Sequence, residues 1–261
     1  MVRSPENLSY LNPEPDMRYH VDRLIDQVLT RTTRIETAGT EENIPKDGPL
    51  VIGFIPHSGW IEPPSIDYFL AKEREAAVWV AKRETQDNVP PILLGDRRCI
   101  FLDREHPEPS KIKNIMDVLM TQGIIASAFE GTRYSNPDDI NDVFRLGKVK
   151  PGLMRFAYNA RVPIMGVVIL GADQVIHSPE RVIEEFGKKE LFLRLSKSFF
   201  KRAEIQMRFL PPYKKHLDEK PGLMGMERRK ILEFHNESLL RLLINEILKL
   251  KPDYPLGPYQ K

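Results

Sequence analysis

Leu50-Val-Ile-Gly-Phe-Ile-Pro-His-Ser-Gly-Trp-Ile-Glu62 opens with six apolar residues and closes on two side chains able to share a proton. The run from Leu50 to Ile55 is strand-length and stops at Pro56, which predicts a buried β-strand. Such a strand delivers His57 to a strand-to-loop exit, where α/β folds place reactive groups. An imidazole suits a general base because its ordinary pKa lies near neutrality. A carboxylate a few residues on, Glu62, can accept from the other ring nitrogen, fixing the tautomer and stabilising the imidazolium. Alone, His-x4-Glu is a weak pattern, since a surface histidine beside an unrelated glutamate gives the same spacing.

Outward from this stretch, strand and helix signals alternate. Pro63, Pro64 and Ser65 sit where a helix begins, because proline is tolerated in a first turn, and that helix runs to about Arg74. Strands are predicted at Ala76–Ala81, Cys99–Leu102, Ile124–Phe129, Val162–Leu170 and Glu204–Phe209. Ser110 is read as the cap of a helix whose apolar stripe is Ile112, Ile115, Met116, Leu119 and Met120. Residues 136–148 read as a polar loop, and Pro151 opens a helix to about Ala160. Upstream, Met17, Val21, Leu24, Ile25 and Val28 recur at helical spacing, and the polar residues Thr37 to Asn43 end that element. Downstream, Met226 to Leu250 is strongly helical and is assigned to packing on the domain. The pattern is α/β, a sheet covered by helices, with strand order left open. The organisation reads as a lead-in and amphipathic helix over 1–44, a catalytic domain over 45–215 and a helical extension over 216–261.

Composition narrows the classes. The 261 residues suffice for one substantial core. A content of 41% hydrophobic and 29% charged residues rejects wholesale disorder. A net charge of +2, from 39 basic and 37 acidic residues, is too balanced to argue for nucleic acid. Cys99 is the single cysteine, so no internal disulfide forms, which fits a reducing compartment. It lies in an apolar run and reads as a small core residue. The N-terminal residues lack the apolar region of a signal peptide. No uncharged apolar stretch approaches the roughly 20 residues that span a bilayer.

Three further segments follow predicted strands. In Phe129-Glu-Gly-Thr-Arg133, Gly131 allows close backbone approach, Thr132 offers a hydroxyl and Arg133 can grip a phosphate with two parallel bonds. An ordinary turn with a solvated Glu130 and Arg133 is the plainer reading. In Phe101-Leu-Asp-Arg104, Arg104 binds an anion or pairs with Asp103 on the surface. Val162-Pro-Ile-Met-Gly-Val167 is an apolar strand, structural by default. His106 reads as solvated or structural. His20, His177, His216 and His235 are scattered without ligand spacing, so no metal site is proposed.

Taken in order, the four segments resemble the glycerolipid acyltransferase family, the His-x4-Asp/Glu acyltransferases that include bacterial 1-acylglycerol-3-phosphate acyltransferase. The resemblance covers roughly residues 45–212 and includes Lys150-Pro-Gly-Leu-Met-Arg-Phe-Ala157 and Arg208-Phe-Leu-Pro-Pro212. It implies a glycerol-3-phosphate acyltransferase-like fold with a mixed central β-sheet flanked by helices. It also implies that His57 is the general base, supported by Glu62, and that Arg104, Glu130, Gly131, Thr132 and Arg133 shape the acceptor's phosphate site. The acyl donor would be acyl-CoA or acyl-carrier protein, the acceptor lysophosphatidic acid or a related glycerolipid, and no metal or bound cofactor would be needed. Ser58 and Ser65 are then not nucleophiles, and no Gly-x-Ser-x-Gly segment supports a protease-like triad.

Four positions depart from the family pattern. Glu62 stands where aspartate is usual, although related lipid acyltransferases also use glutamate there. Pro56 replaces a common asparagine, Gly59 a common serine and Gly166 a second proline. These changes bear on the acceptor more than on the reaction. The alternatives are a non-phosphate alcohol or sugar lipid as acceptor, and a lipid-binding protein on a catalytically retired form of the fold. The expected location is cytoplasmic and peripheral to the membrane. Residues 188–202 mix lysine and arginine with leucine and phenylalanine. They fit an interfacial segment on anionic lipid or a core helix with a solvated basic face equally well.

Overall fold

The computed structural model describes residues 33–57, 61–83, 99–130, 146–172, 203–220 and 222–259. The predicted helix around Met17–Val28, the segment 188–202 and residues 131–133 lie outside them.

The elements are β1 (Thr33–Ala38), α1 (Thr40–Asn43), β2 (Leu50–Ile55), α2 (Glu62–Glu73), β3 (Val78–Lys82) and β4 (Cys99–Leu102). They continue with α3 (Pro109–Met120), β5 (Ile124–Ala128), α4 (Gly152–Ala160), β6 (Ile164–Leu170), β7 (Ala203–Phe209) and α5 (Gly225–Leu250). Single 3-10 turns occupy Lys215–Asp218 and Gly257–Tyr259.

The described strands form one seven-stranded sheet in the order β1-β7-β6-β2-β5-β3-β4. β6 and β7 are antiparallel and every other neighbouring pair is parallel. The expected α/β fold with a mixed central sheet is therefore present. β2 lies in the middle between β5 and β6, and all six of its residues are buried. That is why its sequence is a continuous apolar run and not an alternation. β6 is buried along all seven residues for the same reason.

Helices cover both faces. Ile66 and Leu70 of α2 pack with Leu50, Ile52, Phe54 and Trp79 on one side. Ile115 and Leu119 of α3, Leu153 and Met154 of α4, and Leu239 and Leu243 of α5 pack with Val51 and Ile55 on the other. The chain leaves β2 toward β3 over the first face and leaves β5 toward β6 over the second. Crossovers of one hand require this exchange of faces when the direction of travel reverses. The reversal makes the carboxyl end of β2 and β5 a switch point, the place where open α/β sheets bind ligands.

Two sequence readings are corrected. Residues 33–38 form an edge strand that the sequence does not predict, and it runs into the polar residues Thr37 to Asn43 expected to end a helix. Its inner face carries Thr33, Ile35 and Thr37 and its outer face Arg34 and Glu36, so the apolar signal is a single isoleucine. Its partner β7 supplies the rest, with Arg208 Nη2 donating to Glu36 Oε1 at 2.7 Å. α3 begins at Pro109 with Glu108 before it, so Ser110 lies inside the first turn and caps nothing. The buried stripe of α3 is Ile115, Val118 and Leu119, while Met120 is exposed.

Gly53 and Gly166 face each other across β2 and β6. A Cβ on Gly53 would lie 2.2 Å from the ring of Phe129, and one on Gly166 2.6 Å from Leu243. The pair opens a slot over which Phe129 and α5 settle. Gly53→Ala should therefore lower unfolding free energy by about 1–3 kcal/mol through overpacking, read by urea denaturation. Gly166→Ala should cost less, because the atom it meets is the flexible end of a leucine.

Candidate active site

β2, β4 and β5 run parallel, so their carboxyl ends open on one edge of the sheet. At this edge the chain leaves β2 through a cis Ile55–Pro56 bond and reaches His57. His57 Nδ1 is buried, whereas 21% of the side chain is open. Nδ1 faces Glu62 Oε1 at 3.9 Å, and the Glu62 side chain is fully buried. That distance is an ion-pair approach and exceeds a hydrogen bond. Glu62 is the first residue of α2, where the helix dipole favours a negative charge.

The imidazole is braced from below. Its ring meets Phe54 edge-on at 5.3 Å, and Phe54 meets Trp79 at 6.0 Å. Trp79 Nε1–H donates to buried Asp67 Oδ2 at 2.8 Å. Asp67 lies on α2, so the helix that presents Glu62 also anchors the aromatic stack under His57. No motif spacing marks Phe54, Trp79 or Asp67. The available signal was an aspartate on the inner side of a helix beside a strand tryptophan.

Glu130 follows β5, adjacent to β2. The Phe129 N–H donates to Phe54 O at 3.1 Å, which seats Glu130 beside the histidine. Glu130 is 2% exposed. Its Oε2 accepts the main-chain N–H of His57 and Oε1 that of Gly147, each at 2.5 Å. Burial raises its pKa to about 7, the Glu62 charge pushes the same way, and the two N–H bonds oppose them. The described geometry of Glu130 is thus a bridge between two main-chain segments. Gly147 was not singled out from sequence, and only its N–H takes part.

Arg104 follows β4, three strands from β2, a lateral offset of about 14 Å at the usual strand spacing. It is half-buried. Asp103 Oδ1 accepts the N–H groups of His106 and Glu105, both at 2.9 Å, and the His106 bond is the larger cause of its lowered pKa. Gly131, Thr132 and Arg133 continue from Glu130 beyond the described residues.

A second polar cluster lies at the opposite end of the sheet, where Tyr213 bridges to Ile164 at the start of β6. Tyr213 Oη lies 2.7 Å from His235 Nδ1, and His235 Nε2 lies 3.0 Å from Glu219 Oε1. His216 Nε2 lies 2.8 Å from Val162 O, and burial lowers the His216 pKa. The fold thus converges two histidines that look scattered in sequence. Among the described residues no group of histidine, cysteine and carboxylate side chains is arranged to hold a metal ion.

Comparison with known proteins places this geometry in context. The family model described as Acyltransferase matches residues 36–170. A Mycoplasma genitalium protein named "Probable 1-acyl-sn-glycerol-3-phosphate acyltransferase" is 31% identical over 192 residues, covering 70% of this chain and 67% of that protein. A Mycoplasma pneumoniae protein of the same name is 26% identical over 176 residues, covering 66% of this chain and 63% of that protein. The crystal structure of the 1-acyl-sn-glycerophosphate (LPA) acyltransferase PlsC from Thermotoga maritima aligns with a TM-score of 0.49 at 18% identity, over 86% of this chain and 78% of that one.

The raised pKa of Glu130 makes stability depend on pH. The folded value, about 7, lies above the ordinary 4.5, so the folded state favours the neutral acid. The contribution is fully present below the unfolded pKa and is lost as pH rises through the folded one. Glu130→Gln removes the titration. Between about pH 5 and about pH 8 the variant should gain on wild type by up to roughly 3 kcal/mol, read from paired urea unfolding curves.

Proposed function

Because this chain belongs to the acyltransferase family, we propose that it moves a fatty acyl group from a thioester, acyl-CoA or acyl-carrier protein, to the hydroxyl of lysophosphatidic acid or a close relative, with His57 as general base. The observation that carries this reading is the buried Glu62 carboxylate facing Nδ1 of a partly open histidine at the switch point of the sheet. Both curated relatives carry the name of a 1-acyl-sn-glycerol-3-phosphate acyltransferase, which supports the acceptor class.

In the proposed reaction Glu62 holds the Nδ1–H tautomer, leaving the Nε2 lone pair for the acceptor hydroxyl. As Nε2 takes that proton, the oxygen attacks the thioester carbonyl. The tetrahedral intermediate collapses, the carbon–sulfur bond breaks, and the imidazolium returns its proton to the leaving thiolate. No acyl-enzyme forms. The buried Glu62 charge stabilises the imidazolium between these steps. Arg133, Arg104 and residues 131–132 orient the acceptor phosphate. That turns a two-substrate collision into an aligned attack.

The acceptor lives in a bilayer, so the enzyme meets lipid at a surface. No helix among the described residues is long and apolar enough to cross a membrane. The segment 188–202, with its interleaved basic and apolar residues, is the proposed contact with anionic lipid. Pro56 and Gly59, on either side of His57 in the sequence, favour one rival, a non-phosphate alcohol as acceptor under the same chemistry.

Thiol release with acyl-CoA and lysophosphatidic acid tests the base. His57→Ala should lower kcat by about 10²–10⁴-fold, and full turnover in that variant sinks the mechanism. Glu62→Gln should lose much of the rate while melting near the wild-type temperature. A melting-point loss that matches the activity loss would mark a structural carboxylate. Arg133→Ala separates the acceptors: a phosphate predicts an acceptor KM higher by about 10- to 100-fold, and an unchanged KM favours the non-phosphate alcohol.

A further inference from the structure

Residues 146–150 belong to no helix or strand, yet Leu146, Gly147 and Val149 are buried. Buried main-chain N–H groups need partners, and each one here has a traceable acceptor. The Leu146 N–H donates to Pro255 O at 3.0 Å and the Val149 N–H to Tyr259 Oη at 2.7 Å. Both acceptors lie in the tail after α5. The Lys150 N–H donates to Phe129 O at 3.0 Å, and the Gly147 N–H to Glu130 Oε1. The tail is itself seated, with Tyr254, Leu256 and Tyr259 packed against the core that contains Val51 and Ile55.

These bonds form one path. The tail sets the 146–150 segment, that segment holds one oxygen of Glu130, and the other oxygen holds the N–H of His57. We propose that Glu130 and the C-terminal tail, through Tyr259, are positioning elements that fix the main chain of His57. This rests on the reading of His57 as general base. It gives Glu130 a task different from shaping the acceptor site: its buried carboxylate acts on the protein's own backbone. Two N–H bonds from segments far apart in sequence suit a carboxylate, which accepts at both oxygens, and do not suit an amide, which accepts at one.

The path is sensitive to charge. Among the described residues the charge that acts on the Glu130 carboxylate is Glu62 on α2, while Lys148 and Lys150 on the braced segment are exposed. Ionised, the carboxylate accepts both N–H groups strongly; protonated, it becomes a weaker acceptor and acquires a hydrogen of its own.

Steady-state kinetics of wild type, Glu130→Gln, Tyr259→Phe, the double variant and His57→Ala decide the matter, with acyl-CoA and lysophosphatidic acid as substrates. Glu130→Gln should lower kcat by about tenfold or more, since a charge-assisted bond is lost. Its KM for the acceptor should stay within about twofold of wild type. Tyr259→Phe keeps the ring, loses the hydroxyl, and should lower kcat by about 2- to 10-fold. The double variant should fall short of the product of the single factors, because both act through one segment. The amide resonance of Gly147 should titrate with a midpoint of about 7 in wild type and be flat in Glu130→Gln. A raised acceptor KM at unchanged kcat in Glu130→Gln would overturn the assignment, as would wild-type kcat in Tyr259→Phe. Inactive His57→Ala beside fully active Glu130→Gln removes the relay alone, whereas active His57→Ala removes the general-base reading beneath it.

Discussion

The buried carboxylate of Glu130, shared between the N–H groups of His57 and Gly147, is the interaction on which the geometry of the sheet edge turns. Without it the residue after the cis Ile55–Pro56 bond and the segment before α4 would each present a main-chain donor with no strand to pair with. The carboxylate sits where it does because Phe129 lies over Gly53, and Gly53 has no Cβ to exclude it. A missing side chain on the central strand therefore sets the position of a charged group at its end. Burial raises the Glu130 pKa to about 7, so near neutrality the bridge works against its own desolvation. A bonded but strained ionisation of this kind trades folding stability for local order, as functional sites commonly do.

Electrostatics at the edge is a problem of two carboxylates and one imidazole. Glu62 and Glu130 are both buried, and the Glu62 charge disfavours ionisation of Glu130. The fold separates their tasks by geometry: Glu62 faces the ring nitrogen Nδ1 from the first turn of α2, while Glu130 faces main-chain donors. α2 does more than present Glu62. Through Asp67 and Trp79 it also supports Phe54, and through Phe54 the imidazole ring. The ring and the main chain of His57 are thus held by different elements, α2 for one and β5 for the other.

Much of this was legible in the residues. β2 and β4 were read from sequence at the bounds the structure has, because runs such as Leu50–Ile55 and Cys99–Leu102 carry a strong apolar signal ended by proline or charge. β1 was not legible. At an edge, with one face half-covered, its only strongly apolar residue is Ile35, and its strand character comes from its partner β7. The start of α3 is ambiguous in sequence, because Ser110 has a good capping side chain while Pro109 before it is itself suited to a first turn. At the candidate site, His57, Glu62 and Glu130 are pointed to by the order of the segments that carry them, through the resemblance to the family. The direction of the Glu130 carboxylate is not, since it depends on Gly147 and on a slot over Gly53. Phe54, Trp79 and Asp67 look like ordinary core residues, and only their contacts connect them to the histidine.

The stretch matched by the acyltransferase family, residues 36–170, contains β2 to β6 and both buried carboxylates, yet it is not a closed structure. Among the described strands β1 pairs only with β7, and β7 lies beyond the match. Remove β7 and one edge of β6, buried along its whole length, loses its ladder, which exposes an apolar edge prone to wrong pairing. Remove α5 and the slot at Gly166 loses Leu243. Remove the tail and the N–H groups of Leu146 and Val149 lose their acceptors, one bond away from Gly147. The residues after 170 thus complete the sheet, fill the core and hold the segment that grips Glu130. For this chain the unit that can keep His57 in place is larger than the segment that carries the family's motifs.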